Sequence, residues 1–219
     1  MKSKFFLQVI TVVLSVFAFG QTANAAPVEE KLAIQWANST GAKLVETLGN
    51  HDLESKYAML DEMFANDVDG NYIARFVVGK YWKAMSREQQ QNYTNLFKRY
   101  MLSLYKNYPL DFETIDINFT ITSARVGKSN TAVFCTVDLP EKMANDNFDH
   151  VNLEFTLHEI GGKIKITDLK IGESSLLLTY RGRFYQMIKD ADEDIEWFLE
   201  DLETLTVSNE RNAAQNLNL

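Results

Sequence analysis

The stretch from Phe76 to Tyr108 reads FVVGKYWKAMSREQQQNYTNLFKRYMLSLYKNY. An apolar run stops near Gly79, and a longer run begins after Ser86. Ser86 stands where a helix N-cap belongs and Gln89 follows three residues later, the capping-box spacing. Tyr93, Phe97, Tyr100, Met101, Leu104 and Tyr105 then recur every three or four residues, so one broad helix face is aromatic and oily. The stretch predicts two helices, over 71–84 and 87–107, and Pro109 ends the helical half.

Towards the N-terminus, residues 28–49 suit a helix with Leu32, Trp36, Leu44 and Leu48 as packing residues. Residues 53–64 suit another, with Leu53, Tyr57, Leu60 and Phe64 on one stripe. Beyond Pro109 the apolar period changes to two. Ile115, Ile117, Phe119 and Ile121 alternate with polar neighbours; Val133, Cys135, Val137 and Leu139 follow; then Val151, Leu153, Phe155 and Leu157. Gly127–Asn130 is a turn, and Gly161-Gly162 marks a tight hairpin. In the fourth strand Ile164 and Ile166 are even while Leu169 and Ile171 are odd, so a bulge is expected near Thr167-Asp168. A long helix over 176–205 follows, striped by Tyr180, Phe184, Met187, Ala191, Ile195, Phe198 and Leu202. Residues 206–219 read as a polar, disordered tail. The expected class is α+β: N-terminal helices, a four-stranded antiparallel sheet and a long C-terminal helix in one domain, 26–205.

The first 25 residues read as a cleaved secretory signal. Lys2 and Lys4 precede the apolar run from Phe5 to Phe19, and Ala23-Asn24-Ala25 is an A-x-A cleavage site placing the mature start at Ala26. The run falls short of the roughly 20 apolar residues of a membrane span. The mature chain carries one thiol, Cys135, hence no internal disulfide, and about 190 residues suffice for one sizeable core. The formal charge of −8 becomes about −10 without the two signal lysines, which disfavours nucleic acid and non-specific adhesion to anionic membranes.

Catalytic and metal motifs are missing from the pattern. His51, His150 and His158 read as solvated surface histidines, and Cys135 lies on an inward strand phase, as a structural thiol does. The acidic run Asp190, Asp192, Glu193, Asp194 and Glu196 lacks calcium-loop spacing and reads as a solvated helix face. From these residues no metal, cofactor or enzyme activity is expected.

Two blocks of motif carry a resemblance. One is Phe76-Val77-Val78-Gly79-Lys80-Tyr81-Trp82 with Ser86 to Tyr105. The other is Ile166-Thr167-Asp168-Leu169-Lys170-Ile171-Gly172-Glu173-Ser174, followed by Tyr180-Arg181-Gly182-Arg183-Phe184. Together, in order and behind a signal, they resemble the periplasmic phospholipid-binding component of the Mla (maintenance of lipid asymmetry) transport system, the toluene-tolerance family. The likeness spans about 69–202; the helices over 28–64 match only in helical character. The resemblance implies a nuclear-transport-factor-like cone with added helices, holding glycerophospholipid tails while the headgroup stays near solvent. It implies a periplasmic carrier in a Gram-negative bacterium. Its partners would be an outer-membrane lipoprotein–porin complex and an inner-membrane ABC transporter bearing a mammalian-cell-entry ring.

Inward strand phases and oily helix faces nominate the cavity lining: Val77, Tyr81, Phe97, Met101, Leu104, Val133, Val137, Leu153, Phe155, Ile166, Leu169, Leu177 and Tyr180. Arg181 and Arg183 are the basic pair beside a matched motif, and Arg181 is the headgroup candidate. A two-tailed lipid calls for a cavity near the top of the usual ~300–1,000 Å³ range. The carrier is expected to be a monomer. Three other readings remain: a carrier of a sterol-like lipid, quinone or solvent, a cone-fold isomerase with a carboxylate or tyrosine pair inside, and a scaffold with a filled core.

Overall fold

The computed structural model describes residues 25–107, 118–138 and 149–217. Its helices are α1 (Glu30–Leu48), α2 (Leu53–Asp67), α3 (Gly70–Val78), α4 (Arg87–Asn107), α5 (Leu176–Asp190) and α6 (Ile195–Asn216), with a 3-10 segment at Gly79–Lys83. One antiparallel sheet runs in sequence order through β1 (Phe119–Val126), β2 (Thr131–Asp138), β3 (His150–Ile160), β4 (Lys163–Ile171) and the two-residue β5 (Ser174–Ser175). The fold is α+β as expected, with this short fifth strand added. Ile115, Ile117 and Leu139 lie outside the described residues.

Local chemistry accounts for most boundaries. Ser86 N–H donates to Gln89 Oε1 at 2.8 Å and Gln89 N–H to Ser86 Oγ at 3.1 Å, the reciprocal capping box that starts α4. Gly79 ends α3 at φ +52°; a Cβ there would lie 2.3 Å from the Tyr185 hydroxyl, so only glycine lets this corner close. Gly161 and Gly162 both take positive φ, 58° and 73°, as a type I′ hairpin turn requires. The expected bulge is present. Thr156 pairs with Asp168 and Leu157 with Ile166, leaving Thr167 as the extra residue.

The expected single C-terminal helix is two. The chain breaks over 191–194, where Asp192 and Glu193 take φ of 53° and 61°, and Asp194 caps α6 by accepting from Glu196 and Trp197 N–H. The break lets α5 lie along α3 and α6 along α4. The expected disordered tail is also corrected. It is helical to Asn216, and Thr206 and Ala213 are buried because α6 stays on the α4 surface. Arg99 clamps that pair, reaching Glu203 at 3.1 Å and Glu210 at 2.9 Å.

Packing divides into two regions. Helices α3 to α6 build a solid aromatic core in which Phe184 meets Tyr93, Phe97, Tyr100 and Phe198 at centroid distances of 5.6–6.3 Å. The Tyr93 hydroxyl, wholly inside, donates to the Ala74 carbonyl at 2.9 Å. The second region is thinner. Val28, Ala33 and Ala37 cover Val133 and Leu157 where α1 crosses β1 and β2. Leu32, expected to pack, is exposed.

Two other expectations change. His158 is not solvated: it is 4% exposed, with Nε2 2.9 Å from an Asp69 carboxylate oxygen and the ring edge-on to Tyr72. The acidic run is not a bare helix face. Glu193 accepts from the Tyr81 hydroxyl at 2.8 Å, and Asp194 is the cap already described. Among the described residues no helix is long and apolar enough to cross a membrane.

Candidate functional site: a hydrocarbon-lined cavity

A cavity of about 350 Å³ lies between the α1–α2 pair, the bulged half of the sheet, and helices α4 and α5. Helix α1 contributes Trp36, Ala37, Thr40, Gly41, Leu44 and Leu48, two adjacent rows at four-residue spacing. Helix α2 contributes Leu60, Met63, Phe64 and Asp67; Val68 and Ile73 close that side. Phe97, Met101 and Tyr105 project from α4, and Phe155, Ile166, Thr167, Asp168 and Leu169 from the sheet. Leu176, Leu177 and Tyr180 complete the wall from α5. Volume sits near the lower end of the ~300–1,000 Å³ usual for ligand pockets, not the upper end expected. The reason is the close seat of α1. A Cβ on Gly41 would meet the Phe119 ring at 2.4 Å, so helix and strand touch there without a spacer.

The wall is almost entirely carbon, and Thr167 and Asp168 spend their polar groups on the protein itself. Asp168 sits at the start of α5, where one carboxylate oxygen accepts from Ser175 Oγ at 2.7 Å and the other from Leu177 N–H at 2.9 Å. Burial raises the Asp67 carboxyl above its ordinary value, while the charges of Lys43 and Lys165 pull it back. Desolvation, with a smaller contribution from Tyr180, pushes the Tyr105 hydroxyl up to about 12. Such a lining favours an apolar, flexible guest over a polar one.

Of the nominated residues, Phe97, Met101, Phe155, Ile166, Leu169, Leu177 and Tyr180 line this cavity. Val77 and Tyr81 belong to the solid aromatic core; Tyr81 leans on Tyr185, with ring centroids 5.3 Å apart. Val133 is covered by the start of α1. Val137 and Leu153 are half-buried on the same strand phase, paired opposite Val151 and Cys135, past the rows that the cavity reaches. Leu104 faces a separate hollow with Arg183. Arg181 lines neither space. Its guanidinium lies 4.9 Å from the Phe76 ring and 5.3 Å from the Tyr185 ring, and Nη2 donates to the Tyr185 hydroxyl at 3.3 Å.

Sequence reasoning missed the contribution of α1 and α2 to the lining. Their signal was present in the rows Trp36–Thr40–Leu44–Leu48 and Ala37–Gly41. A large row beside a small one leaves room under a helix.

The profile of the family described as MlaC protein matches residues 38–204, more than half of the chain. The chain belongs to the MlaC family. No curated protein is matched by sequence. Among solved structures, the chain is similar to a phospholipid-binding protein from Ralstonia solanacearum, determined in complex with a phospholipid. The identity is 17% and the TM-score 0.63, over 80% of this chain and 96% of that one. At that identity the likeness speaks for the fold.

Proposed function

We propose that this MlaC-family chain is a periplasmic phospholipid carrier. It takes glycerophospholipid acyl tails into the cavity and moves them between an outer-membrane lipoprotein–porin complex and an inner-membrane ABC transporter, sustaining outer-membrane lipid asymmetry. The single observation that carries the reading is the carbon-lined cavity, in a chain of this family and with the fold of a lipid-bound relative. The signal-like first 25 residues support export.

Energetics make the role coherent. Two tails hold about 30 methylenes at ~0.8 kcal/mol each, so a bare lipid crossing water faces a barrier on the order of 20 kcal/mol or more. A carrier removes that barrier by exchanging one apolar environment for another, which leaves transfer reversible. A carboxylate-pair mechanism fares worse, since both Asp168 oxygens are committed at the start of α5 and leave Asp67 without a second free carboxylate among the described lining residues.

The test is the lipid content of protein purified from periplasmic extract, read by solvent extraction and mass spectrometry. Wild type should carry glycerophospholipid, and Leu169→Arg, which places a charge in the apolar wall, should carry none while folding normally. Lipid-free wild type, or equal loading of the variant, sinks the reading. A quinone or sterol-like extract would redirect it to another apolar cargo.

A further inference from the structure

A second hollow, of about 380 Å³, adjoins the tail cavity, and Tyr105 and Tyr180 belong to the walls of both. Its other walls are Tyr100, Leu104 and Asn107 of α4, Arg183 of α5, and Leu205 and Asn209 of α6. The change of character is abrupt. A cavity of carbon gives way to a space ringed by a guanidinium, two amides and tyrosine hydroxyls.

Arg183 is exposed and uncommitted. Its guanidinium lies 5.8 Å from the Tyr100 ring, and it has no ion pair or hydrogen bond among the described residues. The carboxylates through which α6 reaches α4, Glu203 and Glu210, are already held by Arg99. Tyr100 supplies the second observation. The residue is 0% exposed, and its hydroxyl has no hydrogen-bond partner among the described residues. An unmet buried hydroxyl is destabilising, so a partner supplied from the hollow that Tyr100 lines would be favoured. The Tyr180 hydroxyl likewise has no partner among the described residues.

We propose that the second hollow is an anion subsite that seats the phosphate of the bound lipid. Arg183 supplies the charge, and the Tyr100 and Tyr180 hydroxyls donate hydrogen bonds. A tetrahedral phosphodiester offers acceptor oxygens in several directions, which suits a planar guanidinium met by one hydroxyl from its own helix, Tyr180, and one from α4, Tyr100. Burial raises both tyrosines and the charge of Arg183 only partly offsets it, so both hydroxyls keep their protons at neutral pH and remain donors. Position agrees with chemistry. The two spaces share Tyr105 and Tyr180, which sets the phosphate beside the tails. Arg181, one half-turn away, faces Phe76 instead.

This assignment rests on the carrier reading, and its test separates the two. Delipidated protein is loaded with dioleoyl phosphatidylglycerol or with dioleoylglycerol, which has the same tails and no phosphate, and the bound lipid is weighed by native mass spectrometry. Wild type should prefer the phosphatidyl lipid. R183Q should lower that preference by about tenfold, the size of one charge-assisted hydrogen bond, and leave dioleoylglycerol binding unchanged. R183K should retain part of it, and Y100F should lose part. Because Arg183 is exposed, R183Q should unfold at the wild-type temperature. A wild-type preference in R183Q overturns the subsite while the carrier reading stands, whereas failure of wild type to bind either lipid overturns both. Inorganic phosphate distinguishes the two sources of the anion. It should erode the phosphatidylglycerol preference and leave dioleoylglycerol bound. If phosphate binds through Arg183 and that preference is untouched, the hollow serves free anions and the headgroup assignment falls.

Discussion

Cys135 shows how completely environment decides the behaviour of a reactive side chain. It sits on the covered phase of β2 with Val133, 2% exposed, and burial pushes its thiol from the ordinary 9.0 up to about 11. The thiolate is the nucleophile, so at pH 8 the reactive fraction is on the order of 10⁻³. A maleimide should therefore label the native protein far more slowly than free cysteine, with full labelling in denaturant. Labelling at the free rate would show that β2 is uncovered. The sign of the pH effect follows from the same shift. Between 9.0 and about 11 the unfolded chain loses its thiol proton first, so stability falls as pH rises through that window. Cys135→Ala should flatten that part of the stability profile.

The start of α5 shows a motif whose meaning is structural. Within Ile166–Ser174 and the helix that follows, Asp168 reaches forward to Ser175 and Leu177 while Ser175 accepts from Leu178 N–H at 3.1 Å. The bulge at Thr167 is what turns consecutive β4 residues Ile166 to Leu169 towards the cavity. Asp168→Ala should cost about 1–2 kcal/mol through lost capping, lowering the melting temperature by roughly 2–8 °C for a chain of this size. An unchanged melting curve would mean that the cap is dispensable. This bulge was legible because a phase slip in a two-residue period leaves a trace in the apolar pattern. The break between α5 and α6 was not. Ala191 and Ile195 keep the four-residue spacing across it, and no glycine marks the positive φ of Asp192 and Glu193. Depth was similarly hidden. Periodicity placed Val77 and Phe97 on oily faces alike, yet only Phe97 borders the cavity, because the choice between core and wall depends on how neighbouring helices are rotated.

At the scale of the molecule the two sides of the cavity differ in firmness. On one side α4, α5 and α6 share an aromatic core whose rings interlock. On the other, the fully covered apolar residues of α1 are alanines, Ala33 and Ala37, and Trp36, Leu44 and Leu48 of its wall face are only half-buried. Helix α1 packs mainly on α2, β1 and β2, and α2 on α1, α4 and β4. Elements with few large buried side chains open at low free energy. On the proposed carrier reading, a space of about 350 Å³ would have to widen to take two tails of some 30 methylenes, and α1, which buries no large apolar side chain, is expected to lead that movement. Lipid should then act as a clamp. At a free concentration a hundredfold above Kd, any opening that releases it is suppressed about a hundredfold, or ~2.7 kcal/mol. Amide hydrogen exchange should therefore slow in α1 and α2 when delipidated protein is reloaded with phosphatidylglycerol, and stay unchanged in α4 and α6. Equal protection of all the helices would show that lipid tightens the molecule as one unit, and no change in α1 and α2 would show that this wall does not move to admit cargo.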